Sequence, residues 1–215
     1  TDGGISPQLL EKIKSSQSAT PADAALRNAL AGAAINQLAT NPSNPDATDT
    51  YFSHEVPSAG VTDQKSSGRC WLFTGMNVMR ARMIKDYNLG AFQFSQSYTF
   101  FYDQLEKANL FLQSVIDLAN RPMDDKTVEW LFKNPLSDGG TFCGVADAVM
   151  KYGLVPAEVM PESYQANNTS RLSSLIALKL REYGLTLRQA VARGEKAKQI
   201  AERKQQMLAT VYHML

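Results

Sequence analysis

A cysteine in a favourable electrostatic setting is the strongest chemical signal in the sequence. Cys70 follows a glycine-containing loop and begins an apolar helical pattern. Free backbone N–H groups and the positive end of a helix stabilise a thiolate at such a position. Arg69 adds a neighbouring cation. The pattern indicates a nucleophilic cysteine, and the alternative is a buried free cysteine that acts as a small apolar side chain.

A glutamine upstream of this cysteine supplies a second group that thiol chemistry needs. When a thiolate attacks a carbonyl carbon, the carbonyl oxygen becomes an anion that requires hydrogen-bond donors. The side-chain amide of Gln64 and the backbone N–H of Cys70 together meet that need. The arrangement predicts an oxyanion hole, and the alternative for Gln64 is an ordinary surface turn residue.

The composition excludes several classes of protein. The 215 residues include only two cysteines and two histidines, which are too few for a disulfide scaffold or a Cys/His zinc cluster. The net charge of +1 gives no electrostatic footprint for nucleic acid or an anionic membrane. No apolar run approaches the length of a membrane span. We expect no metal, no organic cofactor and no membrane partner.

Start signals in the N-terminal third predict two short helices. Pro7 fits the first turn of one helix. Thr20 and Pro21 provide a hydroxyl cap and a first-turn proline for the other. Leu26 and Leu30 recur at helical spacing after this cap, which predicts that the second helix buries one face.

Helical patterns also dominate the rest of the chain. They follow a polar, proline-containing loop over residues 41–60 and begin at Cys70, after Ser95, near Val145 and at Ser170. Strand signals are few, so the chain by itself is predicted to be largely helical. The helix that begins at the cysteine carries an apolar stripe at helical spacing: Leu72, Met76, Met79 and Met83.

The motifs around the cysteine resemble a known family. The pattern Q-x-x-x-G-x-C-W resembles the papain superfamily of cysteine peptidases, and the fuller string T-D-Q-K-S-S-G-R-C-W-L-F resembles its bleomycin hydrolase/aminopeptidase C branch. The resemblance covers about Thr20 to Val191. It continues through four further blocks in the same order: Phe94 to Asp103, Asn134 to Gly140, Lys151 to Pro156, and Pro161 to Tyr164.

This resemblance implies roles for individual residues. Cys70 takes the place of the nucleophile that forms the acyl-enzyme, and Gln64 takes the place of the oxyanion-hole donor. Trp71 stands where the family has a tryptophan packed behind the nucleophile. Gly139 and Gly140 match the loop whose backbone pairs with the N-terminal side of the substrate. For these two glycines, a simple tight turn is the alternative.

Two positions depart from the family pattern. Asp63 stands where many relatives have asparagine, and Thr141-Phe142-Cys143 replaces the Gln-Trp often found after the glycines. The second departure affects the expected substrate pocket, and therefore specificity more than chemistry. We expect Cys143 to be a core or pocket-wall residue, with both cysteines reduced because a disulfide would abolish the nucleophile.

Neither histidine fits the partner that the cysteine requires. In papain-like enzymes the histidine and asparagine lie about 130–150 residues after the cysteine, and His213 falls in that window. His213 is nevertheless rejected because it ends a helical pattern, whereas the superfamily's histidine lies on a strand, and no Asn-Ser-Trp-Gly segment follows. His54 is expected to be a solvated loop residue. The segment after Ser170 resembles the helical insertion that moves the branch's histidine further downstream.

The resemblance therefore implies an α+β papain-like cysteine proteinase fold of which this chain is the N-terminal half. It supplies mostly the helical lobe and an N-terminal arm, and the β-rich lobe is largely absent. We expect a helical arm over 1–50, the helical lobe with the nucleophile over 51–169, and the start of the inserted helical region over 170–215.

The implied function is a cysteine-type aminopeptidase that acts on peptides through an acyl-enzyme. Histidine and asparagine come from outside this chain, in the same or a second polypeptide. The resemblance also implies a homo-hexamer around a central channel, and the cytoplasm as its compartment. The absent initiator Met leaves export open.

Two alternatives belong to other functional classes. One is a catalytically silent helical binding or assembly subunit that keeps the fold but never receives a histidine. The other is a helical module that uses its cysteine as a redox sensor, which would make the match at Gln64 accidental.

Overall fold

The computed structural model of the chain forms two compact units, Thr1–His54 and Glu55–Leu215. The division into an arm over 1–50, a helical lobe over 51–169 and an inserted region over 170–215 stays a prediction. The residues that the structure describes are 3–16, 20–41, 51–56, 58 and 60–215.

Helices form nearly all of the regular structure in the described residues, as the sequence predicts. Across these residues, pairing between extended segments is limited to two isolated bridges. None of the described helices is both long and apolar enough to cross a membrane. The helices are α1 (Pro7–Ser15), α2 (Pro21–Gly32), α3 (Ile35–Ala39), α4 (Cys70–Tyr87), α5 (Gln96–Asp117), α6 (Lys126–Lys133), α7 (Phe142–Tyr152), α8 (Tyr164–Asn167), α9 (Thr169–Ala192) and α10 (Ala197–Met214).

The first unit confirms the predicted helix starts but not the predicted burial. The hydroxyl of Thr20 accepts the backbone N–H of Asp23, and the Asp23 carboxylate accepts the backbone N–H of Thr20, which forms a capping box. Leu26 and Leu30 are 55% and 40% exposed. The prediction that α2 buries one face was therefore wrong, because the neighbouring α3 has only five residues and is too short to cover that face.

The main core of the second unit lies between α5, α9 and α10. The helical pattern predicted from Ser170 to the end of the chain forms two helices, because the chain turns between α9 and α10 at Gly194, whose φ of +72° favours glycine. This turn lets α10 fold back so that both helices contact α5. The buried residues of this core are Ala108, Phe111, Leu112, Val115, Ile176, Leu180, Leu187, Ile200, Met207 and Val211.

A second core cluster holds the helix that begins at the cysteine. Leu72 and Met76 are buried, and Met79 and Met83 pack against them, which confirms the predicted apolar stripe. An ideal Cβ at Gly75 would approach the side chain of Val145 to 2.8 Å, so the helices α4 and α7 lie in close contact there. The other buried members are Trp71, Phe94, Phe100 and Val145.

Helices α3, α6 and α8 have no counterpart among the predicted patterns, and α6 is the longest of the three. Helix α6 begins after Asp125, whose carboxylate accepts the backbone N–H groups of Thr127 and Val128 at 2.9 and 3.2 Å. The bond from Val128 and then the bond from Thr127 lower the pKa of Asp125 against the opposing effect of burial. The start signal was present in the sequence, since aspartate is a preferred N-cap residue.

Candidate active site

Cys70 is the first residue of α4, and its side chain is exposed. The carbonyl of the preceding residue, Arg69, accepts the N–H groups of Leu72 and Phe73 at 3.0 Å and so starts the helix. Within the described residues, the backbone N–H of Cys70 has no hydrogen-bond partner. The thiol therefore lies at the positive end of a helix, beside a free N–H donor, as predicted.

The structure brings Gln64 and Cys70 to the same cavity, which has a volume of about 430 Å³. One wall is a face of α4 and the other is the loop before it. The lining residues are Val61, Thr62, Asp63, Gln64, Cys70, Phe73, Thr74 and Asn77.

The Gln64 side chain is held by its own loop. Its Nε2 donates to the carbonyl of Ser67 at 2.5 Å, and the hydroxyl of Ser67 donates to the carbonyl of Gln64 at 2.6 Å. A primary amide nitrogen has two hydrogens. One of them is used by Ser67, so the second can donate to a group bound in the cavity.

The next residue fixes the shape of this loop. Lys65 has a φ of 55°, in the left-handed region that non-glycine residues seldom adopt. The Asp63 carboxylate stabilises this turn because it accepts the backbone N–H of Lys65 at 2.8 Å and the Lys65 ammonium at 2.7 Å. The ammonium and then the backbone N–H of Lys65 lower the pKa of Asp63.

A single aspartate connects the cysteine loop to the glycine loop. The Oδ2 atom of Asp138 accepts the backbone N–H of Gly68 and the hydroxyl of Thr169, both at 2.7 Å. Its backbone carbonyl accepts the indole N–H of Trp71 at 2.9 Å. Burial opposes ionisation of this carboxyl, but the bonds from Thr169 and Gly68 outweigh it and hold the pKa of Asp138 below its usual value.

Gly139 and Gly140 lie outside the lining of the Cys70 cavity. An ideal Cβ at Gly140 would be 2.6 Å from the Trp71 indole, so the loop and the tryptophan touch directly. Among the described residues, neither the amide nor the carbonyl of Gly140 has a hydrogen-bond partner. These backbone groups are therefore free to pair with an extended chain.

A lysine holds the same loop from its other side. The ammonium of Lys107 donates to the carbonyls of Ser137 and Gly139 at 3.0 and 2.7 Å, and to the Asp103 carboxylate at 2.7 Å. It also lies 5.2 Å from the centroid of the Trp71 ring. Burial raises the pKa of Asp103 more than the charge of Lys107 lowers it.

Neither histidine lines the Cys70 cavity: His213 lines another cavity of the second unit, and His54 belongs to the first unit. His213 is on α10 and lines a different cavity, of about 500 Å³, with Glu106 and Tyr152. His54 belongs to the first unit, where it is exposed and its Nδ1 is 3.1 Å from the hydroxyl of Ser53. In the residues that the structure describes, no group of three or more His, Cys, Asp or Glu side chains could hold a metal ion.

The second thiol decides one of two alternatives. Cys143 lies in the first turn of α7 and is exposed, so it is not a core residue, and its place in a pocket wall stays a prediction. The neighbouring Gly144 packs near Trp71 in its place, with an ideal Cβ 3.4 Å from the indole. Both Cys70 and Cys143 are free thiols.

The sequence and the fold match one peptidase family. A family model described as the Peptidase C1-like family matches residues 4–215. The chain belongs to this family. Its fold is papain-like, and the described residues represent the helical lobe, as predicted.

Several Peptidase C1-like relatives extend well beyond this chain. This chain is 36% identical over 211 residues to aminopeptidase C of Lactobacillus delbrueckii subsp. lactis. The alignment covers 98% of this chain and 47% of that protein. The chain is 39% identical over 168 residues to bleomycin hydrolase of Homo sapiens, and this alignment covers 76% of this chain and 37% of that protein. The crystal structure of PepW from Lactobacillus rhamnosis matches with a TM-score of 0.90 and 37% identity, covering 100% of this chain and 48% of that one. The chain thus spans about half the length of the aminopeptidases that it matches.

Sequence reasoning missed two features of the site. Arg69 does not direct its charge at the cysteine, because its guanidinium pairs with Glu162 at 2.7 and 3.0 Å. The role of Asp138 as a link to Gly68 was also missed. In both cases the partner is far away in the sequence, so no local pattern indicated it.

Proposed function

We propose that this chain is the nucleophile-bearing half of a cysteine aminopeptidase that acts on peptides. The observation that carries the proposal is the cavity shared by Cys70 and Gln64 at the start of α4. An exposed thiol at a helix N-terminus and a side-chain amide with a spare hydrogen are the two parts that acyl transfer requires.

In the proposed reaction, the Cys70 thiolate attacks the carbonyl carbon of the N-terminal residue of a peptide. The sulfur bonds to that carbon and the C=O electron pair moves to the oxygen. The C–N bond then breaks, and the leaving amine takes a proton from an imidazolium. Water hydrolyses the resulting thioester and restores the thiol, so the products are a free amino acid and a shortened peptide.

Gln64 and the backbone N–H of Cys70 hold the oxyanion in this proposal. The second hydrogen of Gln64 Nε2 and the unpaired N–H of Cys70 are the two donors. The hydroxyl of Ser67 and the left-handed turn at Lys65 hold the loop that carries Gln64, which supports a fixed position for its amide.

The glycine loop binds the substrate backbone in this proposal. The free amide and carbonyl of Gly140 would pair with the N-terminal side of the substrate, beside the Trp71 indole. The carbonyl of Gly139 already accepts Lys107, so it contributes support to the loop.

The imidazole and its orienting asparagine come from a second half, in the same polypeptide or another one. His213 lines a separate cavity, so the second unit of this chain brings no imidazole to the lining of the Cys70 cavity. Assembly as a homo-hexamer and a cytoplasmic location stay predictions from the family resemblance.

The decisive experiment is labelling with an epoxide inhibitor of cysteine proteases, in the polypeptide that also carries the histidine-bearing half. We expect one adduct on Cys70 by mass spectrometry and none in a Cys70→Ser variant. A Cys143→Ser variant is the matched control and should be labelled like the wild type. Absence of an adduct on Cys70 would reject the proposal in favour of a silent assembly subunit.

Substrate choice provides a second test. Peptide amides with a free amino terminus should be hydrolysed and their N-acetylated counterparts should not. In a Gln64→Ala variant, kcat should fall by about 10²–10³ because one oxyanion donor is lost. Unchanged turnover in that variant would remove Gln64 from the mechanism.

A further inference from the structure

An ion pair between a fully buried arginine and a partly exposed glutamate directly precedes the cysteine. The side chain of Arg69 is fully buried, and its Nη1 and Nη2 atoms donate to the two carboxylate oxygens of Glu162 at 3.0 and 2.7 Å. The guanidinium carbon also lies 5.0 Å from the ring centroid of Phe73 and 5.5 Å from that of Phe100. These contacts leave the guanidinium only one orientation.

The remaining nitrogen of this guanidinium contacts the loop that carries Gln64. Arg69 Nε donates to the hydroxyl of Ser67 at 3.0 Å, and that hydroxyl donates to the carbonyl of Gln64 at 2.6 Å. On the other side, the hydroxyl of Ser97 donates to Glu162 at 2.8 Å and fixes the carboxylate to α5. A continuous chain of hydrogen bonds thus runs from α5 to the backbone carbonyl of Gln64, and the side-chain amide of Gln64 donates in turn to the carbonyl of the same Ser67.

Stability alone does not explain this pair. Arg69 is fully buried, and the cost of desolvating such a charge often cancels the attraction of its partner, so apolar residues of similar volume frequently replace a buried ion pair without loss of stability. The planar guanidinium does fix the directions of three donor atoms, Nε, Nη1 and Nη2, which a lysine ammonium cannot do. We propose that Arg69 and Glu162 are positioning residues that set the angle of the Gln64 amide relative to Cys70.

This inference rests on the proposed roles of Gln64 and Cys70. Because Glu162 neutralises Arg69, the pair acts through geometry and not through its charge on the thiol. The oxyanion exists only after the thiolate has attacked, so a displaced Gln64 weakens the transition state and not substrate binding. Loss of the pair therefore lowers kcat and leaves KM unchanged.

The test is an Arg69→Met/Glu162→Leu double variant in the polypeptide that hydrolyses peptides. We expect kcat to fall by about tenfold or more, up to the 10²–10³ that loss of the whole oxyanion donor costs, with KM changed less than about twofold. The matched control is Arg203→Met/Glu195→Leu, which removes a bidentate pair near the start of α10. The control should keep the wild-type kcat.

The Gln64→Ala background separates positioning from a merely structural role. If the pair acts through Gln64, its removal in that background should lower kcat no further. An equal fall of kcat with and without Gln64 would overturn the inference, as would a double variant with the wild-type kcat. If the double variant does not fold, Glu162→Gln replaces it in the same comparison, since it keeps the volume and breaks the two-point pairing.

A second readout does not depend on activity. In the 215-residue chain labelled with ¹⁵N-glutamine, the side-chain amide resonance of Gln64 should shift in the double variant and stay in place in the Arg203/Glu195 control. An unmoved resonance would overturn the inference by itself. If the wild type neither hydrolyses peptides nor accepts the epoxide, the proposed function fails, and this resonance still decides whether the pair positions Gln64.

Discussion

The backbone N–H of Gly68 donates to the carboxylate of Asp138 at 2.7 Å across 70 residues of sequence. The two loops meet so closely that an ideal Cβ at Gly68 would lie 2.4 Å from Oδ1 of Asp138. The carboxylate of Asp138 also accepts a hydrogen bond from the hydroxyl of Thr169, and its backbone carbonyl accepts one from the indole N–H of Trp71. One residue thus fixes the loop before Cys70 to the glycine loop and to the start of α9.

Replacement of Gly68 by alanine should disturb this contact. The added methyl would push the carboxylate away, and we expect a loss of about 1–3 kcal/mol in the free energy of unfolding, typical of overpacking. Alkylation of Cys70 by iodoacetamide should also slow, because the loop before it moves. Gly90→Ala is the matched control, since a Cβ there meets nothing within 4 Å. If both variants had the same free energy of unfolding in urea, the Asp138 carboxylate would be able to move aside without a loss of stability.

An Asp138→Asn variant should change how the free energy of unfolding depends on pH in the acid range. The pKa of Asp138 is held below its usual value in the folded chain. Its contribution is therefore fully present above the unfolded pKa of about 3.9 and is lost as pH falls through the lower folded pKa. At pH 7 the variant should be less stable by about 1.5–3 kcal/mol, the range for a hydrogen bond to a charged group.

The same experiment has a matched control in Asp124→Asn, which removes an equal charge from an exposed position. The difference between wild type and Asp138→Asn should shrink as urea unfolding is repeated from pH 7 down to pH 2. A difference that is the same at every pH would mean that the Asp138 charge contributes nothing.

The two adjacent glycines should respond differently to alanine. A Cβ at Gly140 would be 2.6 Å from the Trp71 indole, which cannot retreat because its N–H is bonded to Asp138. A Cβ at Gly139 would only reach the hydroxyl of Ser137 at 3.5 Å, an ordinary contact. Gly140→Ala should lose about 1–3 kcal/mol and Gly139→Ala no more than about 0.5 kcal/mol in thermal or urea unfolding. Similar losses in both would indicate a general loop effect instead of a contact with Trp71.

Local features of the fold could be predicted from the sequence because their partners are close in the chain. The capping box at Thr20 and the cap of α5 at Ser95 each join residues three positions apart. The start of α4 at Cys70 and the spacing of Gln64 belong to one continuous motif. Hydrogen bonds of this kind depend on residue type and on spacings below five, which a sequence displays directly.

Features that depend on packing could not be predicted in this way. The direction of Arg69 depends on Glu162, which lies 93 residues further along the chain. The exposure of Cys143 depends on which face of α7 meets α4, and residues of similar polarity occur on both faces. The turn at Gly194 was missed because the apolar spacing continues on both sides of it. In each case the deciding partner is chosen by the tertiary fold.

The packing of α9 and α10 on α5 leads to a prediction about cooperativity. Leu180 on α9 is fully buried in the core shared by these helices, whereas Trp71 lies in the other cluster. If Glu55–Leu215 is one compact unit, Leu180→Ala should destabilise both clusters together by about 2–5 kcal/mol. Leu178→Ala is the matched control, because its side chain is 65% exposed and should change stability by no more than about 0.5 kcal/mol.

Urea unfolding followed by circular dichroism and by tryptophan fluorescence would measure this cooperativity. Coincident midpoints in Leu180→Ala would mean that residues 170–215 unfold with the helical lobe, because a two-state transition looks the same to every probe. If helix content fell first while the buried Trp71 kept its fluorescence, residues 170–215 would instead be a separate region, as the three-part division from the sequence predicts. The separation of the two urea midpoints therefore decides between one cooperative unit and a distinct inserted region.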